Sequence, residues 1–350
     1  MNASSTSREP GGVQECKKKG SVVMGSSRVW ISWEIQRRNR SLSQKFGARL
    51  YEINVRHNRV VRYVISIIRT IRALREESPV LIFAQNPSVV LAWLCVIYGK
   101  LCQILVVVDA HNAGIYPQHG KWKWLNRIAA KMIRIADYTM VTNQSLAEYV
   151  VRQGGRPLVL PDPIPIFEFS GSVIDRDKLK GKFNVLFVCT FAVDEPYLEV
   201  IKAASLLDQD VYVYITGDSK GKEKEYRARI PENIIFTGYL PEEDYVQMLF
   251  SVDVIVDLTT RQDCLVCGAY EAVAAGTPLI VSDSEALRRQ FSIGALFTDN
   301  TPEDLARKIT TAILSKEVFA QQMRDLKVKL ISEWSRSKEE CERLLDRHVL

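Results

Sequence analysis

The sequence holds no run of about 20 apolar residues, the length that a helix crossing a bilayer needs. Its most apolar region, Val80 to Val108, is broken by Gln85, Asn86 and Pro87 and again by Lys100 and Gln103. It therefore reads as a strand, a helix and a strand inside a core. Seven cysteines, an odd number without framework spacing, exclude a disulfide-stapled scaffold and suit a reduced cytosolic protein. Cys264 and Cys267 form a CxxC pair, but no second pair with zinc spacing accompanies them. No Gly-x-Gly-x-x-Gly follows a candidate strand, which argues against a dinucleotide enzyme, and no Gly-x-Ser-x-Gly elbow occurs. Gly217 to Glu223 imitates a phosphate loop. Its glycines are too close together, and Glu223 stands where a magnesium-binding Ser or Thr belongs.

What is present fits a soluble globular protein: 47% apolar and 25% charged residues over 350 positions, enough for two domains. Lys and Arg exceed Asp and Glu by 47 − 41 = 6, a mild basic excess that favours anionic partners. Residues 1–26, rich in Ser and Gly with a short basic run, are expected to be disordered or an over-long start with Met24 as initiator. From Arg28 onward, strand-like and helix-like segments alternate as in a parallel α/β sheet. Strand candidates are Val29 to Ser32, Val80 to Ala84, Ile104 to Asp109 and Tyr138 to Thr142. Helical spacing runs from Val60 to Leu74 and from Leu125 to Ile135. Pro161, Pro163 and Pro165 forbid a helix and suit a linker. The alternation then restarts with Asn184 to Cys189, Val211 to Thr216, Ile234 to Thr237, Val252 to Leu258 and Leu279 to Ser282. A helix begins near Pro196. The expected organisation is α/β, with two Rossmann-like domains, 27–163 and 164–330, facing a cleft. A polar helical tail, 331–350, is free to cross back to the first domain.

The most informative stretch runs from Asp263 through Leu265, Val266, Cys267 and Gly268 to Glu271, then through Gly276 and Pro278 to Asp283. Asp263 and Glu271 lie about two helical turns apart around the entry to a short apolar helix. Backbone N–H groups from Leu265 to Gly268 can hold a diphosphate there, with the helix dipole adding about 1 kcal/mol. Gly268 permits close approach. Glu271 can take both hydroxyls of a ribose, and Asp263 can take sugar hydroxyls.

This stretch resembles the donor motif of two-Rossmann (GT-B) glycosyltransferases, above all the retaining group 1 family. That family has an acidic residue, seven others and a Glu, followed by an Ala-Ala-Gly-x-Pro turn. Asp263 stands where the family usually has Glu. Ile215 to Asp218, with Gly217, matches the family's strand-then-Gly turn. Ile235 to Leu240, with Gly238 and Tyr239, matches the strand whose loop holds the base. Asp109 to Asn112 follows the central strand of the first domain, where related enzymes place a His on the transferred sugar, here His111. A second resemblance, carried by Gln85, Asn86 and Pro87, His111 and Asn112 with Tyr116, and Thr190 with Asp194 and Glu195, is to the inverting β-1,4-mannosyltransferase of the dolichol pathway. Thr190 to Tyr197 has no basic residue, although the retaining family usually carries Arg and Lys there. Diphosphate charge is then left to backbone amides, to Arg261, or to Lys220 and Lys222.

The resemblance implies transfer of a sugar from a UDP- or GDP-sugar to a lipid-linked or polysaccharide acceptor in envelope glycan synthesis, with no essential metal and no cofactor. Asp109 or Glu34 is the candidate base of an inverting reaction. Glu34, Arg37 and Asn86 are candidates for the acceptor side. Two rivals are a nucleotide-sugar epimerase and a glycosyltransferase-like scaffold without catalysis. A basic cluster from Arg28 to Arg75, together with Trp30, Trp33, Trp93, Trp122 and Trp124, implies an anionic membrane surface as partner and a peripheral cytoplasmic location. Nucleic acid is not expected, since no binding module is recognisable.

Overall fold

A computed structural model describes residues 27–86, 88–110, 115, 123–167, 179–222 and 230–349. The first domain begins with strand β1 (Arg28–Ser32), helix α1 (Arg37–Lys45), β2 (Ala48–Glu52), α2 (Arg59–Glu77), β3 (Leu81–Asn86) and α3 (Val89–Cys102). It continues with β4 (Leu105–Ala110), α4 (Lys123–Ile135), β5 (Tyr138–Val141), α5 (Gln144–Arg152) and β6 (Pro157–Val159). The second domain holds β7 (Phe183–Phe187), α6 (Tyr197–Ala204), β8 (Val211–Thr216), β9 (Ile234–Gly238), α7 (Glu242–Ser251) and β10 (Val254–Asp257). After these come α8 (Cys267–Ala275), β11 (Leu279–Ser282), α9 (Glu285–Gln290), β12 (Ala295–Thr298), α10 (Pro302–Leu314) and the long α11 (Lys316–Val349).

Each domain is one parallel six-stranded sheet, ordered β2-β1-β3-β4-β5-β6 and β12-β11-β10-β7-β8-β9. The central strands are apolar on both faces because helices cover both sides, as parallel sheets require. Val29, Ile31, Ile82, Val106 and Val108 pack with Leu91, Cys95 and Ile133 on one face of the first sheet. Trp30, Phe83, Val107 and Met140 pack with Leu42 and Phe46 on the other. Strand order reverses between β1 and β3 in the first sheet and between β7 and β10 in the second. At such switch points the loops leave in opposite directions and open a crevice at the strands' carboxyl ends.

Helix α11 joins the two halves. Neither glycine nor proline occurs from Lys316 to Val349, so nothing interrupts it. Its Met323, Leu326 and Leu330 lie in the second domain's core. Trp334, Cys341 and Leu345 lie in the first domain's core. Full burial of a side chain such as Leu326 or Leu345 contributes about 1.5–3 kcal/mol. Trp334 Nε1 donates to the Pro161 carbonyl at 3.0 Å, and Lys45 Nζ lies 4.7 Å from the Trp334 ring. Of the tail set apart in the sequence as 331–350, residues 331–349 are the distal half of this one helix, and it does cross back.

The basic cluster is not one free patch. Arg28 pairs with Glu342 and Asp346, Arg40 with Glu52, Arg49 with Glu77 and Arg72 with Glu76. Arg38 is buried among carboxylates. On α2, Arg59, Arg62, Arg69 and Arg75 remain exposed beside exposed Val60, Val64 and Ile68. The tryptophans do not form a surface belt either. Trp30 is wholly buried, Trp33 donates to Thr70 Oγ1 at 2.9 Å, and Trp93 packs against the core. Trp124 is exposed, and Trp122 lies outside the described residues.

Candidate active site

The switch points of both sheets face a cavity of about 270 Å³ between the domains. Its described lining is Arg37 from the first domain and, from the second, Val188, Cys189, Thr190, Thr216, Gly217, Tyr239, Leu240, Glu242, Tyr245, Cys267 and Glu271. Thr190, Gly217, Tyr239, Leu240, Cys267 and Glu271, separated widely in sequence, thus meet around one cavity. A smaller pocket of about 160 Å³ on the linker side shares Arg37, Cys267 and Glu271 and adds Arg38, Ser41, Asp162, Pro163, Pro165 and Tyr270.

Glu271 is placed by α8, and only 13% of its side chain is exposed. Both carboxylate oxygens are engaged. Oε1 accepts from Arg37 at 3.2 Å, and Oε2 accepts from the Tyr245 hydroxyl. Burial pushes its pKa above the ordinary carboxylate value, against the Tyr245 hydrogen bond and the Arg37 charge. Burial and the Glu271 charge together push the Tyr245 phenol upward, so it stays a donor. Tyr245 sits on α7 and was not singled out in the sequence. As one of 13 tyrosines it carried no local signal.

Gly217 follows β8 with φ +90°, and a Cβ there would lie 2.3 Å from the Cys189 carbonyl oxygen. The residue must be glycine on both counts. The loop after β7 is folded around Glu195. This carboxylate accepts from Thr190 N at 2.8 Å, Thr190 Oγ1 at 2.9 Å and Ala192 N at 3.0 Å. Gly238 also has positive φ, +70°, and turns the chain so that Tyr239, 89% exposed, stands at the cavity mouth.

The entry to α8 differs from the expected diphosphate cradle at one point. Asp257, at the end of β10, accepts hydrogen bonds from the Gly268 and Ala269 amides. A Cβ on Gly268 would lie 2.6 Å from Asp257 Oδ2. Gly268 is therefore small to admit Asp257, and its amide is already occupied. Burial, then Glu195 and Glu271, raise the Asp257 pKa well above the usual range, against those two amides. The signal for Asp257 was an acidic residue closing the apolar run Val254 to Val256.

Three other candidates are placed elsewhere. Asp109 is 1% exposed and paired to Arg38 through both oxygens, Oδ1 to Nη2 at 3.1 Å and Oδ2 to Nε at 3.3 Å. Arg38 also donates to Asp162 at 2.5 Å and to the Leu160 carbonyl at 3.1 Å. Burial works against the Arg38 charge, but Asp109 and Asp162 hold its pKa above the ordinary value. Clamped this way, Asp109 anchors α1 and, through Arg38 and Asp162, the linker. Arg261 is turned toward Asp194, Nε to Oδ2 at 3.0 Å and Nη2 to Oδ1 at 3.0 Å, and does not line the cavity. Asp263 does not line it either. Its backbone carbonyl accepts from Asn143 Nδ2 at 3.0 Å, tying the turn to the first domain. Leu265 and Val266 pack into the second core.

On the first domain, Glu34 is exposed after β1 and its Oε2 accepts from Gln36 Nε2 at 3.0 Å. Asn86 closes β3, fully buried, with neither side-chain Oδ1 nor Nδ2 hydrogen-bonded. Arg37, expected on the acceptor side, lines the interdomain cavity beside Glu271. His111 lies outside the described residues, as do Asn112, Tyr116 and Glu223.

With this geometry in view, the chain's similarities are informative. Residues 174–327 match the family model described as Glycosyl transferases group 1. The second domain is similar to the group 1 glycosyltransferase domain over those residues. YtcC of Bacillus subtilis (strain 168), a glycosyltransferase by name only, is 27% identical over 177 residues, 44% of each chain. The present chain thus spans less than half the length of that relative. The whole architecture is GT-B. Anabaena HepE, solved with UDP and glucose, superimposes with a TM-score of 0.70 at 13% identity, covering 92% of this chain and 99% of HepE. The sucrose-phosphate synthase of Thermosynechococcus elongatus gives a TM-score of 0.68 at 15% identity over 86% of this chain and 83% of its own. The matched stretch contains Glu271, Gly217 and the Tyr239 loop, and the first domain closes the cavity with Arg37.

Proposed function

We propose that the chain transfers a sugar from a nucleoside diphosphate sugar to a hydroxyl of a lipid-linked or polysaccharide acceptor. The observation that carries this reading is the position of Glu271 on the wall of an interdomain cavity together with Thr190, Gly217, Tyr239 and Leu240. In this reading the base lies along Gly238 to Leu240 and the ribose hydroxyls meet Glu271. The sugar extends from there toward the turn that carries Asp263. The backbone of Leu265 to Cys267 meets the diphosphate, so charge is balanced by protein groups without a metal ion. HepE holds UDP in the same architecture, which supports trying uridine donors first.

The acceptor oxygen forms a bond to the anomeric carbon, and the bond from that carbon to the diphosphate oxygen breaks. The diphosphate leaves with the electron pair, and the acceptor proton passes to a base. With Asp109 locked by Arg38, Glu34 is the base in an inverting reaction, and Asn86 contributes its unpaired amide to the acceptor side. The exposed arginines and apolar residues of α2 support contact of the first domain with an anionic membrane, each arginine contributing about 1 kcal/mol near such a surface. Among the described residues no helix is long and apolar enough to cross a membrane, so contact of this kind would be at the surface.

The test is transfer of radiolabel from UDP- and GDP-sugars into a lipid extract or polysaccharide. Wild type transfers label from one donor, and Glu271→Ala does so far more slowly while remaining folded. Equal transfer by Glu271→Ala and wild type overturns the site assignment.

A further inference from the structure

We infer that Arg37, from the first domain, is the diphosphate-binding cation of the donor site, and that it exchanges its carboxylate partners for the donor's phosphates on binding. The inference rests on the nucleotide-sugar reading given above. It starts from a charge count. Among the described residues lining the donor cavity, the charged side chains are Glu242, Glu271 and Arg37. A nucleoside diphosphate sugar brings further negative charge into a cavity that already holds two carboxylates, and Arg37 is the one described lining cation that can offset it.

Among the described residues, the cations that could take its place are committed elsewhere or lie away from the cavity. Thr190 to Tyr197 contains no basic residue. Arg261 is paired with Asp194, and Arg38 with Asp109 and Asp162. Lys220 is directed to Asp218 at 3.6 Å, and Lys222 Nζ lies 5.8 Å from the Tyr197 ring.

Arg37 is built to move. Its side chain is 61% exposed, and it bridges Glu271 at 3.2 Å and Glu242 at 3.1 Å. The Glu242 pair is exposed on both sides and is held weakly, while Glu271, mostly buried, keeps its Tyr245 hydrogen bond and takes a ribose hydroxyl in place of Arg37. The bridge also occupies the Glu271 oxygen that a ribose hydroxyl needs. Moving Arg37 from Glu271 to a phosphate therefore supplies a cation and frees the ribose acceptor in one step. A guanidinium suits this, because its fork matches phosphate oxygens bidentately. Because the group reaches across from the other domain, donor binding would also draw the two domains together over the reacting bond. As the glycosidic bond to the diphosphate breaks and charge builds on the leaving oxygens, the same contact strengthens.

The experiment is calorimetric titration of wild type, Arg37→Ala and Arg37→Lys with UDP and uridine, and with GDP and guanosine. Loss of a charge-assisted contact predicts that Arg37→Ala binds the diphosphate roughly tenfold or more weakly. The nucleoside, which has no phosphate, should bind as well as before or better, and Arg37→Lys should recover part of the diphosphate affinity. Unchanged diphosphate affinity in Arg37→Ala overturns the inference while leaving the donor site intact. An equal loss for nucleoside and diphosphate also overturns it, since Arg37 would then act only by shaping Glu271. If wild type binds none of the four compounds, it is the donor-site reading itself that fails. Unaltered melting temperatures of both variants confirm that the comparison is between folded proteins.

Discussion

Arg38 and Asp109 form a bidentate ion pair at 3.1 and 3.3 Å, with side chains only 6% and 1% exposed. This pair ties helix α1 to the carboxyl end of β4, and Asp162 extends it into the interdomain linker. The residue that the sequence offered as a base is thereby part of the frame.

Removing one member of such a pair strands a buried charge. Asp109→Ala is expected to lose about 3–5 kcal/mol of stability in urea unfolding. Asp109→Asn keeps the shape, and its transfer activity per folded molecule should stay near wild type. A folded but inactive Asp109→Asn would restore the residue as a base.

Gly217 is the second point at which a single atom matters. Gly217→Ala adds a Cβ that would meet the Cys189 carbonyl oxygen at 2.3 Å, in a conformation at φ +90° that costs on the order of 1 kcal/mol or more. Nucleotide affinity should fall, because relieving the contact displaces Thr190. Melting and calorimetry on the same preparation check both effects.

Asp257 gives the account a pH dependence. Its pKa is raised in the folded state, mainly by burial and then by Glu195 and Glu271. The folded form therefore binds the Asp257 proton more tightly than the unfolded chain. Its contribution to stability is fully present below the ordinary carboxylate pKa of about 4 and is lost as pH rises through the raised value. Asp257→Asn should flatten the fall in stability over that range. Parallel pH profiles for the two proteins would show that Asp257 is not the group responsible.

The α2 surface makes a prediction of its own. Wild type should sediment with phosphatidylserine vesicles and not with phosphatidylcholine vesicles, with binding weakened by salt. Replacing Arg59, Arg62 and Arg69 with Gln should cost about 1 kcal/mol each in vesicle affinity. Equal sedimentation of the triple variant would move the membrane contact elsewhere.

Much of this fold is legible in the sequence because parallel strands covered on both faces are continuous apolar runs. Val211 to Thr216 and Leu279 to Ser282 carry that signature along their whole length. Strand β2 and helix α1 do not. Ala48 to Glu52 is a half-exposed edge strand, and α1 buries Arg38, Asn39 and Ser43, which look like surface residues until their partners are seen. The same distinction runs through the site. Glu271 and Gly217 are legible because a local pattern surrounds them. Tyr245 and Asp257 gain their roles from neighbours brought close by the fold. The pairing of Arg261 with Asp194, and of Arg37 with Glu271, likewise has no trace in one dimension.

Thermal unfolding of wild type and Glu271→Ala with UDP, GDP and their common sugar conjugates tests the central claim most directly. A nucleotide present at about 100 times its dissociation constant stabilises the native state by about 2.7 kcal/mol, a shift of several degrees. The account predicts such a shift for wild type with one nucleotide and its loss in Glu271→Ala. No shift of wild type with any of these compounds would contradict it and favour a glycosyltransferase-like scaffold.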